Sequence, residues 1–272
     1  MTVLVPGLRL NNKNKECFFK ELEQKSFSVN WPYLAGMIDG DGCVRNVDTI
    51  LGLVDKEPVE YLSKLFSCSL MIKLDSKKNR TAYVCQPRYF VNVSGEKNLY
   101  LLKKIYPYTV EKREQIAKVI EQYEPVPSGH YLEHTNEEFF QWFAGFAEAE
   151  GSFTFTEKQR RFSIGTTNYM VIDYVFRKLK QYDIVFNKLK PLHTVKASVR
   201  YEPQKKYNIT RKEHYSFTLS GIDLVALCKK ILPYMMMQRK INSLKKILEH
   251  YNKTPPIKKN FVLKNRNNIH YV

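Results

Sequence analysis

The sequence contains one nine-residue pattern twice: Leu34-Ala35-Gly36-Met37-Ile38-Asp39-Gly40-Asp41-Gly42 and, 109 residues later, Phe143-Ala144-Gly145-Phe146-Ala147-Glu148-Ala149-Glu150-Gly151. Each copy places a small pair inside an apolar run, followed by an acid, a small residue, a second acid and a glycine. In a helix, adjacent Ala and Gly remove side-chain bulk from one face, so two such helices can pack with their backbones almost in contact. The repeat therefore predicts two related halves around one shared site.

The last acid of each copy, Asp41 or Glu150, is predicted to lie at the C-terminal end of a helix. The glycine that follows can take the left-handed backbone conformation that ends many helices. An acid is unfavourable there, because the helix dipole places roughly half a negative charge at that end. Two packed helices would bring both carboxylates and several carbonyls together, and a hard divalent cation such as Mg²⁺ suits those ligands.

The other acid of each copy, Asp39 or Glu148, is two residues earlier. Residues i and i+2 diverge by about 200° on a helix, so these acids cannot share the face of Asp41 and Glu150. We expect them to cap or position neighbouring backbone instead.

Together these residues resemble the LAGLIDADG homing endonucleases, in the single-chain form that has two motifs. The resemblance covers roughly residues 28–251. It implies an α+β fold of two pseudo-symmetric αββαββα half-domains, with saddle-shaped antiparallel sheets and the two motif helices at the central seam. The sequence departs from the family pattern at Phe143, which replaces the first Leu, and at Glu148 and Glu150, which replace the two Asp.

The resemblance implies a site-specific endonuclease that hydrolyses double-stranded DNA at a long target and leaves staggered 3′ overhangs. Asp41 and Glu150, with the main-chain oxygens of Gly40 and Ala149, would hold Mg²⁺, and Mn²⁺ or Ca²⁺ would fit the same ligands. Two alternatives use the same scaffold without cleavage: an RNA-binding intron maturase and a DNA-binding protein. The presence of both acids favours the enzyme, since a pure binder has no need of two carboxylates facing a polyanion.

A second repeat occurs late in each half, as Lys-Lys-Ile-x-Pro-Tyr, with the two copies 126 residues apart. In the family, a lysine five positions after such a proline reaches the edge of the active site, where it can stabilise charge on the phosphate or orient water. Lys112 matches that position, whereas the second half has Gln238 there. Arg239 or Lys240 can substitute if the helix is re-registered, so Lys112, Gln238 and Lys240 are the candidates for this role.

The composition indicates a partner that is a polyanion. The chain has 44 Lys+Arg against 27 Asp+Glu, a net charge of +17, and double-stranded DNA is the partner we expect, with intron RNA as a further one. Side chains that face DNA should be polar or basic and lie on or beside strands. The candidates are Arg45, Asn46, Arg80, Tyr83, Gln86, Arg88, Lys158, Arg160, Thr167, Lys196, Ser198, Arg200, Lys206, Asn208, Arg211 and Lys212.

The chain divides into five parts: an N-terminal extension (1–27), the first half-domain (28–123), a linker (124–136), the second half-domain (137–251) and a basic tail (252–272). The second half has 17 extra residues, which we place between Pro191 and Glu213 as a long basic hairpin or loop. Periodicity predicts helices at 57–66 and 172–181, a short helix at 18–24, and strands at 89–94, 152–157, 161–166 and 214–219. Asn30 and a Thr135–Glu138 capping box start the motif helices.

Several classes of protein are disfavoured. No apolar run reaches the 18 or so residues that a membrane span requires, so we expect a soluble protein inside the cell. We also expect it to act as a monomer, since one chain has both motifs. The five cysteines are an odd number without C-x-x-C spacing, which argues against a disulfide framework and a zinc ribbon. His130 and His134 lack the Glu of a H-E-x-x-H motif and are expected in a polar linker. Richness in Lys and Asn is typical of an AT-rich organelle or phage genome, but the compartment stays unknown.

Overall fold

The first half of the chain alternates helices with strand pairs. In the computed structural model, which describes residues 12–73, 86–126, 133–184, 193–195, 198–202, 207–211 and 213–254, this half contains α1 (Asn12–Ser26), α2 (Trp31–Asp41), β1 (Gly42–Val44), β2 (Asp48–Leu53), α3 (Glu57–Phe66), β3 (Leu70–Lys73), β4 (Arg88–Ser94), α4 (Glu96–Ile105), a 3-10 helix (Tyr106–Tyr108) and α5 (Arg113–Ile120).

The second half repeats that order. It contains α6 (Asn136–Ala149), β5 (Ser152–Phe155), β6 (Arg160–Thr166), α7 (Tyr169–Gln181), β7 (His193–Val195), β8 (Ser198–Glu202), β9 (Tyr207–Arg211), β10 (His214–Leu219), α8 (Gly221–Ile231), a 3-10 helix (Leu232–Tyr234) and α9 (Gln238–Lys253). The predicted α+β class with two αββαββα halves is confirmed, and each half ends with one further helix.

Each half has one four-stranded antiparallel sheet. The strand orders are β1-β2-β4-β3 and β5-β6-β10-β7, so the two sheets have equivalent topologies. Side chains alternate across both sheets: Leu51 and Val91 are paired and buried on one face, as are Ile164 and Phe217 in the second sheet. That face packs on the core, whereas the opposite face of each sheet does not pack on it within the described residues, and we call these two faces the open faces.

The motif helices α2 and α6 lie side by side at the centre, and their glycines allow the close approach. A Cβ built on Gly36 would lie 1.9 Å from the carbonyl oxygen of Trp142, and one on Gly145 would lie 2.1 Å from that of Tyr33. No side chain fits at either position, because the obstacle is backbone of the other helix. The predicted reason for the small pairs is confirmed.

The helix starts agree with the sequence, whereas the helix ends differ. The Asn30 side chain accepts from the Tyr33 amide, and Thr135 forms the predicted capping box with Glu138. The prediction that a glycine in the left-handed conformation follows each motif is wrong. Gly42 has φ −72° and is extended, and Gly151 does not have a positive φ either. Glycine is needed there for space instead, since a Cβ would lie 2.6 Å from the carbonyl oxygen of Ile38.

The N-terminal extension packs on the first half through α1, which is longer than the predicted segment 18–24. Leu22 is buried in the core. Beside it, the Glu23 carboxylate accepts from the Tyr100 hydroxyl at 2.5 Å and from the Lys104 amine at 2.9 Å. The amine of Lys97 lies 4.5 Å from the centre of the Phe18 ring.

The extra residues of the second half include the β8–β9 hairpin, a two-stranded sheet of its own between β7 and β10. It falls within the segment where the sequence predicted a basic hairpin or loop. Among the described residues, no helix is both long enough and apolar enough to cross a membrane.

Candidate functional site

Asp41 and Glu150 end the motif helices at their point of contact. Asp41 is the last residue of α2, and Glu150 caps the C-terminus of α6. A Cβ built on Gly40 would lie 2.3 Å from Ala149 Cβ and 3.3 Å from Glu150 Cγ. Packing of the two helix ends therefore brings both carboxylates to one place, as the repeat predicted.

The local electrostatics are unfavourable for two negative charges. Partial burial and the nearby charge of Glu150 raise the pKa of Asp41 to about 6. The positive charges of Lys240, Lys112 and Arg88 act in the opposite sense without cancelling the increase. A bound cation would relieve this repulsion.

The two inner acids have a different role. Asp39 is fully buried and accepts from the amides of Val110 at 2.7 Å and Lys112 at 2.9 Å. It also accepts from the indole nitrogen of Trp142, on the other motif helix, at 2.8 Å. Burial raises the pKa of Asp39, while these three donors favour its ionised form.

Glu148 has equivalent bonds in the second half. It accepts from the amides of Met236 at 3.0 Å and Met237 at 2.6 Å, and from the Tyr33 hydroxyl at 2.5 Å. Tyr33 and Trp142 are 109 residues apart, the same spacing as the motifs. Each motif helix therefore donates one hydrogen bond to the buried acid of the other, and the inner acids position backbone as we expected.

A lysine amine lies beneath each helix end. Lys112 Nζ donates to the carbonyl oxygens of Ile38 at 2.8 Å, Gly40 at 3.1 Å and Asp39. It thereby satisfies helix-terminal carbonyls that have no partner within the helix. Burial lowers the pKa of this amine, and the surrounding carboxylates oppose the change.

In the second half, Lys240 occupies the equivalent place. Its Nζ donates to the carbonyl oxygens of Ala147 at 3.3 Å, Gly151 at 2.8 Å and Glu148. Burial lowers its pKa to about 8, and the charge of Arg239 adds to the decrease. Gln238, which matches Lys112 by position in the repeat, is exposed, and its amide donates to Asn242 Oδ1 at 2.9 Å.

The oxygen donors fit a divalent cation. Mg²⁺ usually takes one or two carboxylates and completes its shell with water and substrate phosphate. Asp41 and Glu150 provide two carboxylates at helix ends that pack closely at Gly40 and Ala149, and the charge of Glu150 raises the pKa of Asp41. The carbonyl of Gly40 already accepts from Lys112, so only its second lone pair is available. Within the described ranges, no three His, Cys, Asp or Glu side chains form a metal cluster by themselves.

The candidate DNA contacts fall into three groups. Arg45, Asn46, Gln86, Arg88, Lys158 and Thr167 are exposed on or beside the two four-stranded sheets. Ser198 and Arg200 belong to β8, and Asn208 and Arg211 belong to β9. Arg80, Tyr83, Lys196, Lys206 and Lys212 lie outside the described residues.

The orientation that we expected for Arg160 needs correction. Arg160 pairs with Phe155, and its guanidinium lies 5.8 Å from the centre of that ring. Alternation along β6 then places its neighbour Arg161, which is exposed, on the open side.

The strand register defines two surfaces that the sequence interpretation did not assemble. The first open face consists of Cys43, Asp48, Ile50, Met71, Lys73, Arg88, Phe90 and Asn92. The second open face consists of Ser152, Thr154, Arg161, Ser163, Gly165, His214, Ser216 and Thr218. The sequence signal for these residues is the strict alternation of apolar and polar side chains within the predicted strands.

Comparison with protein-family models and with curated proteins finds no match. Among solved structures, the chain is similar to full-length DUF199/WhiA from Thermatoga maritima, with 13% identity, a TM-score of 0.41, and coverage of 85% of this chain and 66% of that chain. The chain thus spans just under two thirds of the length of that protein.

Two further similar structures are LAGLIDADG homing endonucleases. I-GzeII in complex with its DNA target has 14% identity and a TM-score of 0.42, over 83% of this chain and 91% of that chain. I-SmaMI bound to cleaved DNA has 16% identity and a TM-score of 0.40, over 84% and 92%. Because these likenesses are low, we base the functional assignment on the chain's own residues.

Proposed function

We propose that this chain is a metal-dependent, site-specific endonuclease that cuts both strands of duplex DNA. The observation that supports this most directly is the pair of acids at the joined ends of two pseudo-symmetric helices, with a lysine amine beneath each end. The backbones of duplex DNA are themselves related by approximate two-fold symmetry, so two equivalent centres suit its two strands.

Asp41 and Glu150, with the carbonyl oxygens of Gly40 and Ala149, would hold Mg²⁺. When bound, the ion would lower the pKa of a water molecule and stabilise negative charge on the leaving 3′ oxygen. Lys112 and Lys240 have a separate role at the same helix ends. Their amines bind the carbonyls of the last helical turn and fix the positions from which both carboxylates project.

The open faces would bind the duplex next to these acids. Asp41 ends α2 and the first sheet begins at the next residue, Gly42, while Arg88 on the first open face lowers the pKa of Asp41 by its charge. The DNA major groove admits a two-stranded β-ribbon, and the net charge of +17 favours the phosphates on either side. The long target, the staggered 3′ overhangs, action as a monomer and a role in intron homing, all typical of the family that the sequence resembles, are part of the proposal.

The proposal is tested in two steps. First, duplexes with a long randomised core are selected for binding in EDTA, and the enriched sequence is cloned into a supercoiled plasmid. Next, the plasmid is incubated with Mg²⁺ and with wild type, Asp41→Asn, Glu150→Gln or the double variant. Glu249→Gln, at an exposed acid of α9, is the matched control.

We expect the wild type and the control to linearise the plasmid only with metal. Each single variant should leave one strand largely intact and yield nicked circles, while the double variant should bind the duplex without cutting it. Binding of a selected duplex without any metal-dependent cleavage by wild type would refute the nuclease and support a DNA-binding protein. Strong preference for structured RNA over every duplex would support the maturase.

A further inference from the structure

The centre of the first open face is apolar. Ile50, Phe90 and Met71 lie on the face opposite the core, as the pairing of β2 and β3 with β4 places them. All three are only half-buried, and none packs against the hydrophobic core. The Phe90 ring covers Gly52, where a built Cβ would lie 2.4 Å from the ring.

The polar side chains of this face are already engaged with one another. The Asn92 amide donates to Asp48 Oδ2 at 3.0 Å, and Arg45 Nε lies 4.0 Å from Asp48 Oδ1. One of the two N–H donors of Asn92 is therefore already used within the face. The charges at the other end of the face come from Lys73 and Arg88, which are exposed.

The second open face has a different chemistry at equivalent positions. The side chains described at its centre on β5, β6 and β10 are small hydroxyls: Ser152, Thr154, Ser163, Ser216 and Thr218. His214 lies across Gly165, where a built Cβ would lie 2.3 Å from its Nε2. Hydroxyls donate and accept hydrogen bonds, so this face suits polar base edges.

We propose that the first open face recognises thymine methyl groups, so that the DNA target is asymmetric and has a thymine-rich half-site beneath the first sheet. The thymine C5-methyl is the one apolar group that the base edges present in the major groove, and apolar side chains contact it. Lys73 and Arg88 are paired at one end of the apolar centre, where their charges suit the phosphates beside that end, and the Lys73 amine lies 4.9 Å from the centre of the Phe90 ring. This inference rests on the proposed function and goes further by naming the base chemistry of one half-site.

The test replaces thymine by deoxyuridine in one half of the selected duplex at a time. Deoxyuridine lacks only the methyl group and keeps every hydrogen-bonding edge. From the free energy of burying one methyl-sized group, we expect binding to weaken about fourfold for each recognised methyl group that is removed, in one half-site only. The readout is duplex affinity in EDTA, so it does not depend on cleavage.

The variant Ile50→Thr/Met71→Gln links the effect to the first open face. Both changes keep the strand-compatible shape and reduce the apolar surface, so the deoxyuridine effect should shrink towards unity in this variant. Ile222→Thr, at an exposed apolar residue of α8 outside both open faces, is the matched control and should keep the wild-type deoxyuridine effect. Circular dichroism and thermal melting check that each variant is folded.

Three results are distinguishable. A deoxyuridine effect that is absent, equal in both half-sites, or undiminished in Ile50→Thr/Met71→Gln would overturn the inference and leave the endonuclease intact. Failure of the wild type to select any duplex sequence would refute the proposed function, and this inference with it. A loss of affinity confined to one half-site and reduced by the variant would support the inference and the duplex binding on which the proposed function depends.

Discussion

Protonation of His134 should destabilise the fold as the pH drops from 7 to 4. This side chain is 4% exposed. Its Nε2 donates to the Tyr108 carbonyl at 3.0 Å, which leaves Nδ1 to accept from the Tyr174 hydroxyl at 2.7 Å. The neutral ring is therefore fully bonded, and a second ring proton would require the Tyr174 hydroxyl to turn and accept, beside a charged ring that is buried.

The size of the effect follows from the pKa. Burial lowers the pKa of His134 from 6.5 to about 4. Between these values, the unfolded chain binds a proton that the folded chain does not bind, so protonation stabilises the unfolded state. The contribution of the neutral His134 ring to the free energy of unfolding is fully present above pH 6.5 and is lost as the pH falls towards 4. At roughly 1.4 kcal/mol per pH unit, the loss is about 3 kcal/mol.

Urea denaturation of wild type and His134→Gln, from pH 4 to 7.5, measures this contribution. Glutamine keeps a donor and an acceptor but does not titrate. Asp39 and Glu148 have pKa values raised by burial, so they act in the opposite sense, but their effects are common to both proteins and cancel in the difference. Tryptophan fluorescence reports directly, since the Trp142 ring lies 5.8 Å from the His134 ring.

We expect the stability advantage of wild type over His134→Gln to shrink by about 3 kcal/mol between pH 7 and pH 4. If the two profiles stay parallel across this range, His134 is not buried in its neutral form and the reasoning fails. Far-ultraviolet circular dichroism at each pH checks that both proteins start folded.

Three further outcomes are expected. Gly36→Ala or Gly145→Ala should destabilise the fold by about 3 kcal/mol, because the added methyl meets backbone of the other helix; a melting temperature within a degree of wild type would contradict this. Tyr33→Phe should cost about 1–3 kcal/mol in urea denaturation, because Glu148 loses its hydroxyl donor while staying buried. Mg²⁺ affinity in calorimetry should fall as the pH drops below about 6, where Asp41 becomes protonated; Asp41→Asn should weaken binding and flatten that dependence.

The repeated nine-residue pattern was sufficient to predict the centre of the fold. Two small pairs at matched positions have one simple explanation in helix packing, and the close approaches at Gly36 and Gly145 agree with it. The divergence of i and i+2 residues on a helix also separated the inner acids from the outer ones. These properties depend on local geometry, which a sequence records well.

The remaining features depend on tertiary context. Lys240 takes the place that the repeat assigns to Gln238, because it projects from the first turn of α9, whereas Lys112 lies just before α5. The sequence predicts that His134 lies in a polar linker, yet the side chain is buried between Tyr108 and Tyr174. A shift of one residue in strand phase exchanges Arg160 and Arg161 between faces, and sequence alternation alone does not fix that phase.

The crossed hydrogen bonds at the seam determine which halves can be recombined. A first half expressed alone would keep Asp39 but lose the indole of Trp142, and a second half would keep Glu148 without the hydroxyl of Tyr33. Chimeras that join one of these halves to a foreign one therefore need an aromatic donor at the matching position of the new helix. A foreign half with phenylalanine in place of Tyr33 or Trp142 would still fill space in the seam, but it would leave the buried acid of the other half without one of its hydrogen-bond donors. The hydrogen bonds between the two motif helices therefore determine which halves can pair in a stable fold, independently of the surfaces that would bind DNA.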